Sequence, residues 1–263
     1  MRSLQGQVGI VAGASGGIGV ATVRAMLDAG MTVVAAAPPD ILLDALAQET
    51  AQFDRRVLIV PTDITRRDDV DLLVARTLAR YGRIDALVNV AGIGSSPSFC
   101  DSSDAEIERV FAVNLLGAAR TMHAVLPVMR AQQRGAIVNV GSVAGEAAVM
   151  GAYSGSKFGL RGLNDSVRRE VRSEGIGVTL VEPGFVATTM NTGMENLPPP
   201  EIVADAIVRA IRRPRRKIVV PRSYYIPVFL MKAFPGFADL VFGDARVQRR
   251  LNREARAAKQ TGA

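Results

Sequence analysis

The sequence predicts an α/β fold: a single doubly wound parallel sheet with helices on both faces. Three observations predict it. Apolar stretches of strand length alternate with stretches of helical period along most of the chain. The strand stretches are apolar throughout, as in parallel strands covered on both faces. A glycine-rich turn directly follows the first strand and opens a helix, the arrangement of a first βα unit that binds phosphate.

Val8–Ala12 reads as the first strand and Gly17–Ala29 as a helix stopped at Gly30. Thr32–Ala36 is the second strand, followed by helical periodicity through Ile41, Leu42, Ala45 and Leu46. Val57–Val60 is the third strand, and Val70, Leu73, Val74 and Leu78 mark the helix after it. Ala86–Val90 and Ala136–Val140 are strands on either side of a long helix near Asp104–Met129. A helix near Ala152–Ser173 leads to the strand Gly177–Val181, another helix follows Pro198-Pro199-Pro200, and Lys217–Val220 is the last strand. Right-handed crossovers turn this order into a doubly wound sheet. No repeat or low-complexity linker divides the chain, so 1–263 is expected to be one domain.

Composition narrows the chemistry. One histidine and one cysteine make a His/Cys zinc site untenable, and no metal is expected. His123 lies in a helical stretch and reads as structural. The lone Cys100 rules out an internal disulfide and fits a reducing cytosol. Neither a run of about 18 apolar residues nor a signal-type N-terminus occurs, so a cytoplasmic protein is expected. The net charge of +7 is uneven: residues 1–208 carry 18 basic and 22 acidic side chains, residues 209–263 carry 14 and 3.

The turn Gly13-Ala14-Ser15-Gly16-Gly17-Ile18-Gly19 suits a dinucleotide. Glycines let the backbone turn tightly and approach a pyrophosphate, and the helix N-terminus offers free N–H groups. Its Gly-x3-Gly-x-Gly spacing resembles that of the short-chain dehydrogenase/reductase family, a Rossmann-type fold. Further motifs follow in the family's order across roughly residues 6–190. Asp63-Ile64 resembles the adenine contact. Asn89-Val90-Ala91-Gly92 resembles the Asn-Asn-Ala-Gly turn, with Val90 a departure. Asn114, Ser142, Tyr153 and Lys157 look like the catalytic tetrad, and Pro183-Gly184 with Val186 and Thr188 like the nicotinamide-contacting segment.

This resemblance implies an NAD or NADP cofactor held by Gly13, Ser15, Gly16, Gly17, Ile18, Gly19, Ala37, Asp63, Ile64, Asn89, Ala91, Gly92, Tyr153, Lys157, Pro183, Gly184, Val186 and Thr188. At the end of the second strand, Ala37 takes the usual acidic position and Pro38 the usual Arg position. Asp40 either swings back to the ribose or caps the next helix. NAD is favoured, because no cation is placed for a 2′-phosphate.

Tyr153 and Lys157 are four residues apart and share a helix face. A phenol ordinarily titrates near ~10, and an adjacent ammonium favours the phenolate. The resemblance assigns Tyr153 as acid/base, Lys157 to tuning it, Ser142 to orienting substrate and Asn114 to ordering a water. Ser142 precedes Tyr153 by eleven residues, which is short for the family, so the loop Gly145–Gly151 is expected to reshape the pocket.

Beyond the sixth strand, Phe185, Met190, Met194, Leu197 and the apolar block through Tyr224–Met231, Phe234–Phe237 and Leu240–Phe242 suit a bulky apolar alcohol or carbonyl substrate. Arg212–Lys217 precedes that block, and Arg246, Arg249, Arg250, Arg253 and Arg256 follow it as an exposed basic helix. Peripheral contact with an anionic membrane is one expectation. No nucleic-acid partner is expected, since no reading module is present. By the same resemblance the chain is a homodimer or homotetramer through the long helix and the Tyr153 helix. The competing reading is a non-catalytic cofactor-binding or regulatory protein on the same fold, suggested by Ala37-Pro38 and the shortened loop.

Overall fold

The computed structural model describes residues 3–96 and 98–243. Seven parallel strands form one sheet in the order β3-β2-β1-β4-β5-β6-β7. They are β1 Val8–Ala12, β2 Thr32–Ala37, β3 Val57–Pro61, β4 Ala86–Asn89, β5 Gly135–Val140, β6 Ile176–Pro183 and β7 Lys217–Val220. Ala12 pairs in register with Ala36 on one side and Asn89 on the other. The chain therefore winds outward through β2 and β3, returns across β1 and winds the other way from β4. That reversal leaves a crevice between β1 and β4 at the C-terminal strand ends, where doubly wound sheets bind ligands.

The helices are α1 Gly17–Asp28, α2 Ile41–Thr50, α3 Arg67–Tyr81, α4 Asp104–Phe111, α5 Ala118–Ala131, α6 Ala144–Ala147, α7 Gly151–Glu170, α8 Glu201–Arg212, α9 Tyr225–Ala233 and α10 Pro235–Phe242. Strand alternation feeds two cores. Val33, Ala35, Val88, Val138 and Val181 meet Val23 and Met26 of α1 and Val203 and Ile207 of α8. On the other face Ile10, Val34, Leu87, Ile137 and Val178 meet Leu73, Met122, Val125, Met129 and Val167. Burying each such side chain stabilises the fold by about 1.5–3 kcal/mol, which explains why these strands tolerate no polar face.

Several expectations are refined. The long helix is α4 and α5 joined by a π-helical segment, Ala112–Gly117. The whole stretch Asp104–Ala131 is apolar enough to cross a membrane by composition, but Val110, Met122, Val125 and Met129 are buried in the fold. The helix α6 runs from Ala144 into the Gly145–Gly151 loop and is closed by Ala148 in the left-handed region at φ 54°. Asp40 caps α2, its Oδ1 accepting from the Leu43 amide at 2.8 Å. His123 is exposed on α5, with Nδ1 3.1 Å from Nη1 of Arg67. The basic helix expected through Arg246, Arg249, Arg250, Arg253 and Arg256 lies outside the described residues.

Candidate active site

The glycine-rich turn lies in the β1–β4 crevice. Gly13 has φ +91°, and a Cβ there would collide with the backbone of Ala91, so the turn after β1 lies directly against the turn after β4. Gly16 precedes α1 as its N-cap, and no side chain bonds back to cap that end. The first turn of α1 carries no acidic residue either. Its N–H groups and the positive end of its dipole are thus left for an anion. The Thr188 side chain lies against Gly17, placing the segment after β6 over the start of α1. Val186 is buried within the core on that side. Ser15 and Ile18 lie on the same turn, half-buried.

The other positions expected near a cofactor are used in different ways. Ala37 is buried at the end of β2. Asp63 Oδ1 accepts from the Thr65 amide at 2.8 Å and its hydroxyl at 2.7 Å, closing the turn after β3. The Ile64 side chain packs against Gly117. Both polar atoms of the Asn89 side chain are engaged inside the protein: Nδ2 donates to Asn139 and Oδ1 accepts from Thr121. Asn89 therefore fixes β4 to β5 and α5, and what it offers the crevice is backbone. Pro183 ends β6, and the Tyr224 ring lies directly against Gly184.

The tetrad positions converge beside this crevice. Asn114 sits in the π-helical segment, whose extra residue per turn carries its side chain to the β4 turn. Oδ1 accepts from the Ile93 amide at 2.8 Å, while Nδ2 donates to the Ile93 carbonyl at 3.0 Å and to Ser156 Oγ at 3.0 Å. Lys157 Nζ donates to the Val140 carbonyl at 3.0 Å and lies 5.8 Å from the centre of the Tyr153 ring. A Cβ on Gly92 would lie 3.1 Å from that Nζ and 3.4 Å from Asn114 Oδ1, so glycine keeps the space beside these groups open. Ser142 Oγ accepts from the Ala144 amide at 3.1 Å, and Ser142 favours the ionised form of the Tyr153 phenol.

Burial sets the electrostatics. It holds the Tyr153 phenol above its ordinary value, opposed by the bond to Ser142. The same burial brings the Lys157 ammonium down to about 8. An ammonium held that low gives up its proton just above neutrality, as a group suited to proton traffic must.

Three supporting groups escaped the sequence reading. Ser156 Oγ donates to the Tyr153 carbonyl at 2.7 Å while accepting from Asn114, so it joins two tetrad helices. Its place inside Tyr153-x3-Lys157 was the available signal. Ser95 Oγ accepts from the Tyr153 amide at 3.2 Å, and nothing in the sequence marks it. Glu146 of α6 is buried and ion-paired to Arg161, to Lys217 at 3.0 Å and to Lys232 at 3.5 Å. Glu182 lies on the other side of Lys217, also at 3.0 Å. This cluster ties the segment between Ser142 and Tyr153 to α7, β7 and α9.

Comparison with known proteins agrees with this architecture. Residues 7–197 match the short chain dehydrogenase family. A 3-oxoacyl-[acyl-carrier-protein] reductase of Synechocystis is 36% identical over 201 residues, covering 75% of this chain and 81% of the relative. An uncharacterized oxidoreductase of Staphylococcus haemolyticus is 34% identical over 221 residues, covering 81% and 94%. The crystal structure of a short-chain dehydrogenase/reductase from Burkholderia phymatum in complex with NAD superposes with a TM-score of 0.83. It is 25% identical, over 90% of this chain and 96% of that one. By sequence and by fold, this chain belongs to the short-chain dehydrogenase/reductase family and is an NAD(P)-dependent oxidoreductase.

Proposed function

We propose that the protein interconverts an alcohol and a ketone or aldehyde on a bulky apolar substrate, with Tyr153 as the acid/base. The observation carrying this reading is the buried array in which Ser142 acts on the Tyr153 phenol while Lys157, bonded to the Val140 carbonyl, lies 5.8 Å from the ring centre. A phenol kept protonated through neutral pH is the form that donates to a carbonyl oxygen. Ser142 holds that oxygen beside the phenol. The Lys157 ammonium stabilises the phenolate left after donation and takes part in returning its proton. Asn114, bonded to Ile93 and Ser156, keeps the β4 turn and α7 at fixed separation and orders water next to Lys157. The cofactor, when bound, supplies or accepts the hydride; alignment and the proton are the chain's contribution.

NAD is the proposed cofactor. Ala37 and Pro38 offer neither a carboxylate nor a cation, Gly16 adds no side chain, and Asp40 is engaged in capping α2. A 2′-phosphate would find no Arg or Lys at these positions. The Burkholderia phymatum structure, which holds NAD, supports the same choice. The relatives named as 3-oxoacyl reductases favour a carbonyl on a long apolar chain, to which exposed Phe185, Met190 and Met194 are suited. A cytoplasmic homodimer or homotetramer through α4, α5 and α7 belongs to the same proposal.

Two measurements test it. Tyr153→Phe is expected to lower turnover by about 1000-fold or more, the scale of losing a general acid, with binding of reduced cofactor intact. Near-native turnover in that variant would sink the assignment. Fluorescence titration with NADH and NADPH is expected to show tighter binding of NADH, and the reverse order would overturn the cofactor choice. Membership of an enzyme family removes the support for the non-catalytic reading.

A further inference from the structure

The amphipathic pattern of α9 is turned outward. Val228 is buried and Met231 half-buried, whereas Tyr225, Ile226, Phe229, Leu230 and Ala233 are exposed. Ile226, Phe229, Leu230 and Ala233 follow the i, i+3, i+4, i+7 spacing of a helical stripe, and this one faces solvent. Ile226 is 69% exposed, Phe229 60%, Phe234 after the helix 61% and Leu240 of α10 76%. Large apolar side chains exposed together on adjoining helices, unlike ones scattered singly, mark an interaction site. Lys232 stands at the border of the stripe, also reaching Glu146, and exposed Arg222 precedes α9. Asp239 is the one acidic residue of α9 and α10.

The stripe begins at the rim of the active site. The Tyr224 ring, one residue before α9, lies against Gly184, and α9 packs on α6. Not all the basic residues of this region belong to that face. Arg216 pairs with Asp165 and Lys217 with Glu146 and Glu182, so carboxylates of the fold already meet these two charges. The chain after Gly243 adds Arg246, Arg249, Arg250, Arg253, Arg256 and Lys259 against Asp244 and Glu254.

We propose that the α9–α10 face docks on an anionic lipid bilayer. The apolar stripe enters the boundary between headgroups and acyl chains, and the cations meet the headgroups. Charge decides against a second copy of the chain as the occupant. A twofold interface sets the same patch against itself, and the chain from Arg222 onward, which forms this face and continues from it, carries 8 basic and 3 acidic side chains in each copy. A bilayer of opposite sign satisfies both the apolar area and the charge. Docked so, the rim at Gly184 and Tyr224 faces the lipid, from which an apolar substrate would enter; that consequence, unlike docking itself, rests on the function proposed above.

The test is co-sedimentation of the full chain with phosphatidylcholine vesicles, with and without phosphatidylglycerol, at low and high salt. The expected result is pelleting with the anionic vesicles that weakens as salt rises. Ile226→Asp/Phe229→Asp should weaken it by roughly tenfold or more, since two large apolar groups leave the interface. Cofactor binding and melting temperature should be unchanged in this variant, because both side chains are exposed. Arg222→Gln should weaken binding by a smaller factor and reduce its salt dependence. No binding to anionic vesicles would overturn the proposal, as would binding indifferent to Ile226→Asp/Phe229→Asp. Dissociation of an oligomer by that variant, seen by light scattering, would instead assign the face to a second copy. Because sedimentation requires no catalysis, its failure leaves the oxidoreductase reading standing.

Discussion

Lys157 is a charged side chain held where charge is costly. Its pKa is lowered by burial from 10.5 to about 8, so between those values the unfolded chain binds a proton that the folded one has released. Stability therefore rises with pH through that window, and below about 8 the fold carries the whole cost of the buried ammonium. Lys157→Met keeps the stem and removes the charge. At pH 7 its melting temperature should exceed the parent's by a few degrees, a gain trimmed by the donor lost to the Val140 carbonyl. Above the unfolded-state pKa the gain should vanish. Turnover should fall by about 100-fold or more in the same variant. Loss of stability at pH 7 would show the ammonium to be structural. The parent's carbonyl-reduction rate should decline on the alkaline side with an apparent pKa near 8, read from a pH–rate profile.

The short helix α6 is tied to its neighbours through the buried Glu146 carboxylate. Burial acts to raise the Glu146 carboxyl, but Arg161 and Lys217 outweigh it and hold it down to about 2. Glu182, more deeply buried and sharing Lys217 with Glu146, is pushed up to about 7. The signs are opposite. Glu146 contributes stability present above its ordinary value of 4.5 and lost as pH falls toward 2. Glu182 costs nothing below 4.5 and progressively more as pH rises to about 7. At pH 8, Glu146→Gln should therefore destabilise by about 3 kcal/mol, leaving cations without their carboxylate, while Glu182→Gln should stabilise. At pH 4 the benefit of Glu182→Gln should disappear. Thermal melts at the two pH values check this, and a common sign for both variants at pH 8 would refute it.

The same element shows where sequence stops being informative. Strands were legible to within a residue or two, because uniformly apolar runs such as Val33–Ala36 suit only a doubly covered sheet. Tyr153 and Lys157 were legible because four residues is a helical turn. A four-residue helix such as α6 has no period to read, and its Glu146 partners come from α7, β7 and α9. The π-helical segment around Asn114 reads as ordinary helix in the sequence, since its apolar residues keep a nearly helical spacing. In α9 the period was plain, yet periodicity names a face without saying which side it turns to. Ile226, Phe229 and Leu230 of α9 are exposed.

At the scale of the whole molecule, the site is assembled from turns far apart in sequence that meet at the C-terminal ends of the strands. The turns after β1 and β4 touch at Gly13 and Ala91, and the segment after β6 reaches α1 through Thr188. A cofactor lying in that crevice would bridge both halves of the doubly wound sheet and bind only when they are joined. Binding to the folded state alone adds about 2.7 kcal/mol at a hundred times Kd. For a domain of this size that raises the melting temperature by roughly 5–10 °C. Calorimetry should thus show one transition shifted upward by NADH, less so by NADPH at equal concentration, and shifted equally in Tyr153→Phe. If residues 209–263 formed an independent unit, a second transition would stay where it was as NADH was added. A single shifted transition would mean that β7 and the Glu146–Lys217–Glu182 cluster join the C-terminal region to the sheet as one cooperative body.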